Sequence, residues 1–409
     1  MKDKTKIKRY LHYLSYSIAA YSGQFLNVAS AILVRRLLEP PQMGALTVAQ
    51  TLYSYLDLSH LGARYALDKE VPMSEEGKHN IILKETFEIA MFFYALTLFI
   101  TFSIMTLKYG LSKITITYLL LEIASVPFFV VNFKKAFLRA KQEIGAMRFF
   151  AFFYPLVFSS LRIILLKLLG YWGYVAGYIV GNYIFYIVFS KKYPVKLKIK
   201  LFKINYNFYH LKIGFPMFLN AVVSVIAATL DRWIVFNFYG EKILGIYSAT
   251  IMISSFMTLF PNTLSEVIFP KLLTKLKYDR RSFVSYFNKI ILLSFIIVLF
   301  AAIISYIVVP YVIRFFIPKY AAATLASQII VFQAPFIMIS SICYYSLVGL
   351  ERYHLPYLLN LLLVALIIVI SYFQKYKGII GISSAVVLAR VVIAVFFYIA
   401  TIYIAKKRI

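Results

Sequence analysis

The chain has 409 residues, of which 62% are hydrophobic and 15% charged, with a mean hydropathy of +0.79. About a quarter of the residues of a soluble domain are charged, so this composition excludes an ordinary water-soluble globule and indicates a protein built for a bilayer. The formal net charge of +28 would suit a nucleic-acid binder, but the basic residues sit in short connectors between apolar runs, which is the pattern of membrane topology.

Crossing about 30 Å of hydrocarbon takes roughly 20 apolar residues in helical form. Runs of that length predict helices near 12–33, 43–60, 85–107, 114–133, 149–169, 173–190, 213–238, 243–268, 287–309, 321–349, 356–373 and 379–404. The expected fold class is therefore an all-α polytopic membrane protein with about twelve transmembrane helices. The runs are continuously apolar and do not alternate with period two, which argues against a β-barrel. The start, MKDKTKIKRY, is basic like a signal peptide. The helix after it carries Ser17, Gln24 and Asn27 and lacks a compact apolar core with a small-residue cleavage site, so no cleavable signal is expected.

With the N-terminus placed in the cytoplasm, 31 of the 44 Lys and Arg residues fall on the cytoplasmic side. That bias predicts cytoplasmic termini and residence in the cell membrane, with the basic loops resting on anionic lipid headgroups. Cys343, the single cysteine, lies inside an apolar span; it excludes an intramolecular disulfide and reads as packing.

Polar residues inside the spans are the candidates for function. The first helix sets Ser17, Ala20, Gln24, Asn27, Ala31 and Arg35 on one face, and the seventh does the same with Asn220, Ser224, Ala227 and Asp231. Interhelix hydrogen bonds and a water-filled cavity both explain such stripes. Arg162 and Arg390 lie nearest the middle of their spans; Arg35, Arg36 and the Asp231–Arg232 pair lie toward outer ends, where an anchoring role is as good a reading as a functional one. Asp57, Glu85, Glu88 and Glu266 fall near cytoplasmic ends and read as solvated caps. Glu122 is deeper, and with Asp231 it is a candidate for coupling to H⁺ or Na⁺. His12, His60, His79, His210 and His354 show no ligand spacing and read as loop or interfacial residues, so neither a metal nor a cofactor is expected. There is no G-x-x-x-x-G-K-[ST] loop for ATP hydrolysis, and no soluble domain for a glycosyltransferase.

The second half repeats the first. When ILVRRLLEPPQMGALTVAQ (32–50) is set against WIVFNFYGEKILGIYSATI (233–251), Gly44 falls on Gly245. Further along, Pro127 meets Pro335, and Gly170, Gly173, Gly177 and Gly181 meet Gly378, Gly381, Ala385 and Ala389. This divides the chain into an N-terminal six-helix lobe, 1–200, and a C-terminal one, 201–409. The small residues at steps of four read as helix-packing seams. Internal repeats of this kind characterise transporters, with a site near the midplane between the lobes and alternating access to the two sides.

The segments RRLLEPPQMGALTVAQ, DLSHLGARYALDKEVP and DRWIVFNFYGEKILGIYSAT leading to VIFPKL, in which Pro270 is expected to end the eighth helix, carry a resemblance. The chain resembles the polysaccharide biosynthesis (oligosaccharide flippase) family of the multidrug/oligosaccharidyl-lipid/polysaccharide (MOP) exporter superfamily, over essentially its whole length. It departs from the pattern at Glu39, at Pro40–Pro41 and at Leu46, which stands where Tyr247 stands in the second half.

The resemblance implies two six-helix lobes forming a V. They would carry a polyprenyl-phosphate- or diphosphate-linked oligosaccharide to the outer leaflet for surface polysaccharide or glycoprotein assembly. It implies no catalytic residues, drive from an ion gradient (H⁺ or Na⁺) or the membrane potential, and a glycan polymerase or transferase as a partner. Arg162 and Arg390 are then the first candidates for the headgroup, Arg35 and Arg36 lie near the exit, and Gln24, Asn27 and Asn220 face sugar hydroxyls. Two alternatives remain open: a MATE-like ion-coupled multidrug extruder, and a non-transporting scaffold of the glycan assembly machinery.

Overall fold

The computed structural model describes residues 2–195, 197, 208–278, 280–352 and 354–408; the side chains of His12, Ser17, Glu266 and Pro270 and half of connector 191–212 lie outside the described residues. Among the described residues every regular element is helical. In chain order these are α1 (Lys2–Leu37), α2 (Pro40–Leu56), α3 (Ala63–Met73), α4 (Glu76–Tyr109), α5 (Lys113–Ala140), α6 (Ile144–Lys192) and α7 (Tyr209–Tyr278), followed by α8 (Arg280–Phe316), α9 (Thr324–Ile330), α10 (Gln333–Gly349), α11 (His354–Gln374) and α12 (Gly378–Arg408).

Six helical stretches are long and apolar enough to cross a membrane, or seven if the bent pair 318–330 and 333–349, which meets at 44°, counts as one span. Three of them run for 49, 53 and 54 residues, more than twice the roughly 20 that a bilayer requires. Each is interrupted at a glycine with positive φ: Gly170 (φ 61°), Gly240 (φ 78°) and Gly378 (φ 63°). A side chain is strained in that conformation, so glycine lets the backbone leave one helix and start the next with no loop between them. Gly170 and Gly378, which the repeat pairs, share nearly the same geometry, with ψ of −144° and −147°.

Two local expectations are corrected. The polar stretch 61–84 is not a bare connector, because α3 forms there with Ala63, Ala66, Leu67 and Val71 buried. Their spacing at three and four residues makes a short apolar stripe, too brief and too charged around it to register as a span. This stripe packs into a core with Leu83, Phe87, Phe133 and Phe137. Pro270 does not end its helix, since α7 continues to Tyr278; a proline removes one backbone donor, a loss that a membrane helix can absorb.

The chain forms two compact units, one of residues 1–38 and 48–221 and the other of 39–47 and 222–409. In the first, α6 packs against both α1 and α5, and with α5 it forms an aromatic core that includes Phe149, Phe185 and Phe189. In the second, α12 packs against α9, α10 and α11, with Met338, Ile342 and the free thiol of Cys343 buried. Within that unit the first turn of α2 crosses α7 at two glycines. A Cβ on Gly44 would fall 2.0 Å from the Glu241 carbonyl oxygen, and one on Gly245 would fall 1.7 Å from that of Pro40. Burial runs opposite to that of a water-soluble protein. The stretch 282–316 is the most apolar of the spans and the least buried, at 22%, as expected where the surrounding solvent is hydrocarbon.

Candidate functional site

The polar centre of the first unit is built by the break at Gly170. The chain folds back there, and α6 packs its second part against its first through Gly173, Gly177 and Gly181. A Cβ at these positions would fall 1.9 Å from the Leu165 carbonyl oxygen, 2.6 Å from the Arg162 Cα and 3.2 Å from the Phe158 ring. Such close approach brings Tyr174 and Tyr178 over Arg162, which is only 8% exposed. Its Nη1 donates to the Tyr174 hydroxyl at 2.9 Å, its Nε to the Phe158 carbonyl at 3.1 Å and its Nη2 to Ser159 Oγ at 3.4 Å. The guanidinium also lies over three rings, 3.9 Å from Phe158, 5.0 Å from Tyr178 and 5.4 Å from Tyr174.

Two further helices join this cluster. From α2, Gln50 donates to the Tyr178 hydroxyl at 2.9 Å. From α1, Asn27 accepts from Ser159 Oγ at 3.4 Å and donates to Gln24 at 3.5 Å. Every partner of Arg162 is therefore neutral, a hydroxyl, a carbonyl or a ring face, and among the described residues no carboxylate is bonded to it. A guanidinium withdrawn from water and offset only by neutral acceptors and ring faces retains a strong attraction for an anion.

The second unit differs. Asp231 accepts from the Tyr247 hydroxyl and from the Arg232 amide, each at 2.9 Å. Arg390 lies within electrostatic reach of the same carboxylate, and its Nε is buried with no hydrogen-bond partner. Here a carboxylate lies near the arginines and offsets part of the cost of burying an Asp-Arg pair against so long an apolar run.

The other candidates are dispersed. Arg35 is buried and donates from Nη1 to the Ala31 carbonyl of its own helix at 3.0 Å, whereas Arg36 is exposed. Asn220 is half-buried in the first unit. Glu122 is buried between α4 and α5, accepting from Thr101 at 2.5 Å, and does not join the Arg162 cluster. In the second unit a Cβ on Gly381 would lie 2.1 Å from the Gln374 carbonyl oxygen, and Ala385 and Ala389 are fully buried.

Several acids and histidines depart from expectation. Asp57 is not a solvated cap: Arg64 grips it at 2.6 and 2.8 Å and Asn132 adds a bond at 3.0 Å, because α3 carries Arg64 back under α2. Glu88 is buried. Glu85 lies 3.0 Å from His210 Nε2, while Nδ1 of the same ring lies 2.8 Å from Glu70, so this buried histidine ties α7 to α3 and α4. His60 is buried too, its Nδ1 accepting from the Gly62 amide at 3.0 Å. Among the described residues no three His, Cys, Asp or Glu side chains are placed to hold a metal ion.

A family model described as polysaccharide biosynthesis protein matches residues 12–275. No curated protein is a detectable sequence relative. In fold the chain is similar to an inward-facing multidrug resistance MATE family transporter of the MOP superfamily, with a TM-score of 0.79 at 12% identity, covering 94% of this chain and 95% of the other. It is equally similar to lipid II flippase MurJ in an inward closed conformation, with a TM-score of 0.79 at 16% identity and coverage of 95% and 87%. A MOP superfamily transporter from Pyrococcus furiosus follows at 0.65, 13% identity and coverage of 97% and 95%. The fold is that of the MOP superfamily.

Proposed function

We propose that this chain, which belongs to the polysaccharide biosynthesis protein family, carries a polyprenyl-phosphate- or diphosphate-linked oligosaccharide from the cytoplasmic to the outer leaflet of the cell membrane. Twelve crossings, two six-helix lobes, cytoplasmic termini and alternating access complete the reading. The observation that carries it is Arg162, a buried cation whose partners are all neutral. A diphosphate entering a low-dielectric cavity would supply the missing countercharge through charge-assisted hydrogen bonds. Gln24, Asn27 and Gln50 would meet the sugar hydroxyls, and the prenyl tail would stay in lipid. Asp231, held by Tyr247 and facing Arg390, is the candidate for ion coupling. Protonation of this carboxylate or its binding of Na⁺ would change its hold on Arg390 and so bias one state over the other. An extruder of organic cations would instead require an acidic cavity, and a cation at the centre of the Tyr174–Tyr178 cluster disfavours it.

The test is translocation in proteoliposomes containing purified protein and a labelled polyprenyl-diphosphate oligosaccharide, with an imposed H⁺ or Na⁺ gradient and an outside-only enzymatic readout. Protein-dependent flipping that falls away in Arg162→Ala is the expected result. Gradient-driven efflux of an organic cation without glycan flipping would assign the chain to the extruder class. Undiminished glycan export in cells carrying Arg162→Ala would point to a scaffold.

A further inference from the structure

A second cationic feature lies on α6, away from the cluster just described. α1 and α6 touch backbone to backbone where a Cβ on Gly23 would fall 2.1 Å from the Ala151 carbonyl oxygen. Toward Ser15 the two helices line an open wedge of about 400 Å³. Ile18 of α1 and Phe149, Phe152 and Phe153 of α6 form its apolar walls, while Arg148 and Lys192 stand at its mouth. Both basic side chains are exposed. Arg148 donates to Ser15 Oγ at 3.3 Å, Lys192 Nζ lies 4.1 Å over the Phe149 ring, and among the described residues no carboxylate belongs to the lining.

An apolar slot with two cations and no acid at its entrance suits an amphiphile with an anionic head. Its volume of about 400 Å³ suits one chain better than two side by side, and stacked rings such as Phe149 and Phe153, 4.4 Å apart, offer flat faces to methyl-branched hydrocarbon. Position along the helix adds to this. Arg148 and Arg162 stand about four turns apart on α6, about 21 Å at 1.5 Å per residue, and on nearly the same face. A phosphate held at Arg148 would thus be aligned with the buried cation further along the same helix.

We infer that this wedge docks the phosphate and first prenyl units of a single-chain isoprenoid phosphate, as the loading position for the cargo; the inference rests on the carrier reading above. The probe is polyprenyl phosphate without sugar, titrated against the purified full chain by native mass spectrometry, with phosphatidylglycerol as competitor. Wild type should bind one polyprenyl phosphate that an equal concentration of phosphatidylglycerol does not displace. The double variant Arg148→Gln/Lys192→Gln should weaken binding about tenfold to thirtyfold, as expected for two cations at a membrane surface. Gly145→Leu should weaken it as well with all charge kept, because a Cβ there meets only the Tyr193 hydroxyl, at 3.8 Å, and a larger side chain fills the slot.

Unchanged binding in both variants, or displacement by phosphatidylglycerol at equal concentration, overturns the inference. The flipping assay separates the two ideas. If wild type binds polyprenyl phosphate at the wedge yet flips no linked glycan, the site stands and the carrier reading falls. If the double variant both binds and flips like wild type, the wedge falls and the carrier reading stands.

Discussion

Arg162 in the first unit and Arg390 in the second are both arginines deep in apolar helices, yet their surroundings differ in kind. Arg162 is satisfied only by hydroxyls, a carbonyl and ring faces. Arg390 faces the carboxylate of Asp231, which Tyr247 also holds. The first arrangement is electrostatically incomplete and stands ready for a ligand that brings negative charge. The second brings a carboxylate near the arginine, and changes state when the carboxylate does. Removing a buried ion that lacks a counter-ion relieves a desolvation cost, whereas removing one member of a pair strands the other.

The largest effect should follow from breaking the first arrangement. Arg162→Met should lower glycan flipping about 10- to 150-fold, the equivalent of about 1.5–3 kcal/mol for hydrogen bonds to a charged group. At the same time its melting temperature should match or exceed wild type, because activity and stability pull apart at an unpaired charge. A melting temperature several degrees lower would mean that Arg162 is structural, and the contrast would collapse. The second arrangement should behave in the opposite way. Arg390→Met should destabilise by about 1–2 kcal/mol, because Asp231 loses one nearby cation while keeping Tyr247 and Arg232, and adding Asp231→Asn should recover part of the loss, as chemical denaturation in detergent would show.

Gly177→Val sharpens the comparison from the packing side. The Cβ would fall 2.6 Å from the Arg162 Cα, so overpacking should cost about 1–3 kcal/mol and displace the arginine from Tyr174. Flipping should fall along with the melting temperature. The smallest effect is expected at Gln50→Leu, which removes the 2.9 Å bond to Tyr178 for about 1 kcal/mol and a loss of flipping of a few fold.

The apolar helical runs and the arginines within them were legible in the sequence because both depend on single-residue properties, hydropathy and charge. Gly170 and Gly378 were legible as a repeat, although their shared positive φ required coordinates. Tyr174 and Tyr178 were missed because 34 tyrosines are scattered through the chain and nothing in their spacing separates a ligand of Arg162 from an interfacial ring. Asp57 and His210 were misread for a related reason. Of the partners of Asp57, Arg64 arrives from α3, which hydropathy does not register, and Asn132 lies 75 residues away; those of His210 lie 140 and 125 residues away. Long-range pairing of polar groups leaves no periodic trace in a sequence.

The glycine crossing of α2 and α7 bears on how the protein is made. Gly44 is synthesised early, but the Glu241 and Gly245 backbone it fits against emerges only after about 200 further residues, on the order of 10–40 s later at the usual 5–20 residues per second. During that interval the first turn of α2 has no partner for its small-residue face. A nascent chain stalled before Gly245 should therefore show this turn open to cysteine labelling, and one stalled well beyond it should show the turn closed.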